Sequence, residues 1–153
     1  MSRAFVKETD NDGTELPERP ISPHRNFVTA AGLAKIKDAL GRFEAEHRAA
    51  IGNDDREALA TASREIRYWK ARLLSAEVVE ARADTSKATF GMTVKLRRDD
   101  GREQSFQIVG EDEADPSVGT VSYVSPLARA VLSHGPGDAV TIAGREAVIL
   151  EVR

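Results

Sequence analysis

Cysteine is absent from this chain of 153 residues. That excludes disulfides, thiolate metal sites and cysteine nucleophiles, and it makes a reducing, cytoplasmic location the default expectation. No apolar run approaches the ~18–20 residues that span a bilayer. The opening stretch, MSRAFVKETDNDG, has no apolar centre of the kind a secretory signal needs. Strong basic charge is missing too. The formal net charge is -3 at pH 7, which is not the footprint of a protein that grips bare nucleic acid. The glycines are scattered and form no phosphate loop. Ser22, Ser125 and Ser133 have no nucleophile-elbow context. His24, His47 and His134 fall in different zones, so a metal site built from them is not expected. An independent hydrolase therefore has no nucleophile–base pair or ligand cluster to rest on.

What is present divides into three zones. Residues 1–28 carry Pro17, Pro20 and Pro23, many charges and few large apolar groups. This predicts an extended or disordered tail, with Phe5 and Val6 as an apolar pair able to tack it to the body. Residues 29–80 change character. Thr29 is placed to cap a helix. Leu33, Ile36, Leu40, Phe43, His47 and Ala50 then recur at alternating spacings of three and four, and Leu59, Ala62, Ile66, Trp69, Leu73 and Ala76 repeat them. Two such heptad seams joined by a short connection predict an antiparallel coiled-coil hairpin that projects from the body.

Residues 81–153 lose the helical period. Phe90, Met92, Val94 and Leu96 alternate as in a half-buried strand, and Asp99-Asp100-Gly101 signals a hairpin turn. Further strands are expected over 105–109, 120–124, 139–142 and 146–152. Ser125 and Pro126 should open one short helix over 127–132. The zone reads as an α+β domain with a mostly antiparallel sheet.

The connection between the seams, IGNDDREALA, gathers Asp54, Asp55 and Glu57. Asp54 followed three residues later by Glu57 is a capping box. The same pair is also a set of oxygen ligands for a hard cation. Spacing alone leaves both readings open. Arg64, Arg67, Lys70 and Arg72 cluster on the second helix; Arg64 and Arg67 share a face, open either to solvent or to a phosphate-bearing or acidic partner. The acidic loop 111–115 reads as a solvated loop or a cation site.

The C-terminal zone resembles the Gre transcription elongation factors. The residues that carry the resemblance are Phe90-Gly91, then Ile108-Val109-Gly110 with Asp112-Glu113, then Ser125-Pro126 with Ala128-Arg129. The heptad hairpin in front of them matches the order of domains. A shorter hairpin also occurs in the similar branch called regulator of nucleoside diphosphate kinase. The resemblance implies an FKBP-like fold over 81–153, docked on bacterial RNA polymerase beside its secondary channel through the loop at Val124, Ser125 and Pro126. It implies a hairpin that enters the channel as a monomeric factor, with Arg64 and Arg67 near nascent RNA or polymerase acids. Tip carboxylates, here Asp54 and Glu57 with Asp55 as substitute, would share a Mg²⁺ ion with the polymerase. The factor would have no catalytic residue of its own and at most stimulate the polymerase's own RNA cleavage.

Two departures from the family qualify this. Its members often place Asn or Asp before the Ser-Pro pair, where this chain has Val124. Cleavage-competent members also carry about nine more residues on each arm, a deficit of about 13 Å at 1.5 Å per residue. Channel binding that modulates elongation is therefore expected ahead of cleavage stimulation. The alternative expectation is an interaction adaptor with a partner other than RNA polymerase.

Overall fold

Thr29 starts the first helix, and its hydroxyl oxygen accepts from the Gly32 N–H at 3.0 Å. The computed structural model describes residues 16–153, so Phe5 and Val6 lie outside the described residues. Helix α1 spans Ala30–Gly52 and α2 spans Arg56–Ser75. At 1.5 Å per residue the longer arm reaches about 35 Å. All twelve seam residues are buried or half-buried, with Ile36, Ala50 and Ala62 among the fully buried. The helices pack against each other along this stripe, which is what holds two otherwise marginal helices together.

The base of the hairpin is tied. Strand β1 (Phe27–Val28) pairs in parallel with β2 (Glu77–Val78), so the chain entering α1 lies beside the chain leaving α2. Residues 16–26 form no helix or strand and run in front of this pair.

The second part is a five-stranded sheet in the order β5-β4-β3-β7-β6. Its strands are β3 (Thr93–Arg98), β4 (Glu103–Val109), β5 (Thr120–Ser122), β6 (Ala139–Ile142) and β7 (Arg145–Val152). The β3–β4 turn closes at Gly101, whose φ of 85° suits a residue without Cβ. Alternation places Val94, Leu96, Phe106, Ile108, Ala147 and Ile149 on one face, under helix α3 (Pro126–Val131) with its buried Ala128 and Val131. The sheet is mostly antiparallel, as expected, with one parallel pairing at its edge, between β4 and β5. The acidic loop and a 3₁₀ turn at Pro116–Val118 carry the chain back beside Gln107, so β5 runs in the same direction along the last three residues of β4.

Candidate functional site

At the tip, α1 ends at Gly52 and Asn53 caps it, its N–H donating to the Ala49 carbonyl at 3.0 Å. Asp54 takes a left-handed conformation with φ of 52°. Asp55, not Asp54, is the N-cap of α2; its carboxylate accepts from the Ala58 N–H at 3.0 Å. The capping box read from Asp54 and Glu57 is thereby corrected. Reversing the chain in so few residues needs one left-handed residue, a role Asp tolerates, and this moves the cap one position on. Glu57 lies in the first turn, where the helix dipole favours a carboxylate. Asp54, Asp55 and Glu57 are all exposed. Among the described residues, no group of three or more His, Cys, Asp or Glu side chains is placed to hold a metal ion. Asp55→Ala should cost about 1 kcal/mol through the lost cap, whereas Asp54→Gly should be neutral or stabilising because the left-handed strain is relieved. Thermal melts of the two variants test this, and equal losses would contradict the assignment of the cap.

At the base, the acidic loop is a joint. Arg72 is 2% exposed. Its Nε donates to Asp112 at 2.5 Å, its Nη2 donates to the Asn26 side-chain oxygen at 2.8 Å, and Glu111 stands 3.7 Å away. Asn26 in turn donates to the Arg72 carbonyl at 2.8 Å. The Tyr68 hydroxyl donates to Asp112. Burial first, then that hydrogen bond and the Asp112 charge, push the Tyr68 phenol up to about 12. Glu113, 7% exposed, holds the other helix. It accepts from the Thr29 N–H at 2.9 Å, the Thr29 hydroxyl at 2.5 Å and the Gly110 N–H at 3.2 Å. Gly32 makes room for it: a Cβ there would sit 2.0 Å from a Glu113 oxygen. Asp112 and Glu113 thus grip one helix each. The loop is neither freely solvated nor open to a cation.

The Val124, Ser125, Pro126 loop lies on the sheet domain. Ser125 caps α3, accepting from the Ala128 N–H at 3.2 Å, and Pro126 occupies the first helical turn and is exposed. Val124 is half-buried. The preceding residue anchors the loop to the hairpin base. Tyr123 packs on Phe27 and Phe90 at centroid distances of 5.3 and 5.7 Å, and its hydroxyl donates to the Arg25 carbonyl. Burial, followed by the Glu111 charge, raises the Tyr123 phenol above its usual value. The structure therefore brings this loop and the joint together, and holds the tip carboxylates a helix length away. Arg64 and Arg67 lie between. Arg67 already pairs with Glu18 at 2.6 Å, and Arg64 pairs with its neighbour Glu65 at 3.6 Å.

Sequence reasoning placed Arg72 in a basic cluster but missed its burial and the Asp112–Glu113 grip. A signal existed: Arg72 is three residues after seam residue Trp69 and adjacent to Leu73, so it borders the inward stripe. The carboxylates that accept it lie some 40 residues away, beyond any local pattern.

The fold and site define a class: an acid-tipped two-helix arm jointed to a small mixed-sheet domain that carries a Ser-Pro loop. Residues 83–153 match the family described as transcription elongation factor, GreA/GreB, C-term. The transcription elongation factor GreB of Neisseria meningitidis serogroup B is 37% identical over 147 aligned positions, covering 81% of this chain and 90% of the relative. The transcription elongation factor GreA of Alkalilimnicola ehrlichii is 36% identical over 151, covering 82% of this chain and 96% of the relative. A solved GreA/GreB elongation factor from Nitrosomonas europaea is 19% identical, with a TM-score of 0.40 and coverage of 84% and 98%. The chain belongs to the GreA/GreB family of transcription elongation factors. No helix among the described residues is long and apolar enough to cross a membrane.

Proposed function

We propose that this protein binds bacterial RNA polymerase through the Val124–Ser125–Pro126 loop and places its arm in the secondary channel, where it modulates elongation by occupying the channel. The observation that supports the reading is the placement of a Ser-Pro loop near the base of the arm and of exposed carboxylates at its tip. Arm length favours occupancy over cleavage. Cleavage-competent members of the family carry about nine more residues on each arm, a deficit of about 13 Å for this arm of about 35 Å, and metal ligation tolerates errors of only tenths of an ångström.

Asp54 and Glu57 fit a hard cation as exposed oxygen donors, but only one whose remaining ligands come from elsewhere. They are the residues that would hold a shared Mg²⁺, an ion that clamps and neutralises the oxygens of phosphoryl transfer. Arg64, and Arg67 if Glu18 releases it, would face nascent RNA or polymerase acids.

The test is RNA cleavage in a backtracked elongation complex, with binding measured on the same complex. The native protein is expected to bind without accelerating cleavage, and Val124→Asp/Pro126→Ala to lose binding. Acceleration that disappears in Asp54→Ala or Glu57→Ala would show that the short arm reaches. A native protein that does not bind would end the polymerase reading.

A further inference from the structure

Residues 16–26 touch both parts of the protein. On the arm, Glu18 pairs with Arg67 at 2.6 Å and Arg19 pairs with Glu65 at 2.6 Å. The Arg19 guanidinium also lies 3.7 Å above the centroid of the Tyr68 ring. On the sheet domain, the Ser22 hydroxyl donates to Glu111 at 2.9 Å, and the Arg25 carbonyl accepts from Tyr123. Pro17, Pro20 and Pro23 deny this segment helix and ladder hydrogen bonds and favour an extended course. Side chains supply most of the hold, with the Glu77 N–H donating to the Asn26 carbonyl at 2.9 Å where the segment meets β2.

We propose that residues 17–26 are a strap that fixes the angle between the arm and the sheet domain, and so positions the tip. The contacts form one chain: Glu65, Arg19, Tyr68, Asp112, Arg72, Asn26. It starts on the arm at Glu65, reaches the sheet domain at Asp112, and includes the strap at both Arg19 and Asn26. Asp112 and Glu113 are neighbours on one loop, so their grips lie close together and resist tilting weakly. The strap adds a hold at Glu65, seven residues nearer the tip than Arg72, a lever of about 10 Å along the helix. A tilt of about 10° at the base would move a tip about 35 Å away by about 6 Å. The strap needs little energy to matter. Its Glu18–Arg67 pair is exposed and of the kind that contributes little to stability. The Arg19 stack on Tyr68 is half-buried and stronger. Removing both should change the angle far more than the melting temperature.

The absence of cysteine makes the test direct. Spin labels on Ala45→Cys in the arm and Thr141→Cys in the sheet domain, both exposed positions, report the distance distribution of the full chain in solution. The native strap should give one narrow distribution. Glu18→Ala/Arg19→Ala, and separately deletion of residues 1–20, should each broaden it at least two-fold while the protein still melts cooperatively. An unchanged width in the point variant overturns the proposal, whatever the deletion does. Because the readout needs no polymerase, its failure and failure of the polymerase reading are separate outcomes.

Discussion

Replacing Arg72 with Ala should lower the melting temperature by on the order of 10 °C. The guanidinium is 2% exposed and its partner Asp112 is 9% exposed at the side chain. Removing one member of a buried ion pair costs about 3–5 kcal/mol, because the other charge stays buried with no opposite charge to meet it; here only the Tyr68 hydroxyl would still donate to Asp112. For a chain of this size each kcal/mol shifts the midpoint by roughly 2–4 °C. The loss is structural as well, since the Asn26 side-chain oxygen also loses its donor. Arg72→Lys should recover part of the stability, because it restores the charge but not the two-sided fork that meets Asp112 and Asn26. Arg72→Met combined with Asp112→Leu should recover more than either single change, as buried pairs often exchange for apolar residues at little cost. A midpoint within 2 °C of native for Arg72→Ala would mean that the joint is held elsewhere.

Lengthening both arms together should convert the protein into a cleavage factor. Matched insertions of seven residues per arm add about 10 Å, and of eleven about 16 Å, each close to a whole number of turns. The seams stay in register in both, and the two lengths bracket the deficit of about 13 Å expected from the family resemblance. At least one insertion should accelerate cleavage of backtracked RNA ten-fold or more, with the gain lost in Asp54→Ala or Glu57→Ala. An insertion in one arm alone should give no gain, because the seams no longer face each other. If both matched variants bind polymerase and neither accelerates cleavage, tip chemistry rather than reach is the missing element.

Much of this architecture was legible in the sequence because it is periodic or local. The two seams are heptads, and their residues face inward as the period requires. Ser125 and Pro126 open α3 because a cap and its first turn need only adjacent residues. The strands over 139–142 and in the β3–β4 hairpin follow from alternation and a turn. What escaped is nonlocal or conformational. Arg72 looked like one of a basic cluster; only Asp112, brought in by the fold, makes its burial tolerable. Gly32, a residue type that weakens an isolated helix, is the seat of Glu113. The tip cap moved from Asp54 to Asp55 because one residue had to turn left-handed, a need set by how closely the helices approach. The parallel β5 depends on where a loop returns, which no strand pattern encodes.

The two-residue β1–β2 pair bears on how the chain folds. Bringing Val28 to Val78 closes a loop of about 50 residues, a cost that grows as about 1.5RT times the logarithm of loop length. Helical hairpins form from local contacts and so form early. Once α1 and α2 have zipped, their ends already stand side by side, and the remaining closure is short. A pair too small to persist alone is then stabilised by the zipper it seals. Fraying at Gly52 leaves that seal intact, whereas opening the seal frees the strap, both helix ends and Phe27 at once. The arm is thus loosest where it would meet a partner and most cooperative where it joins the body.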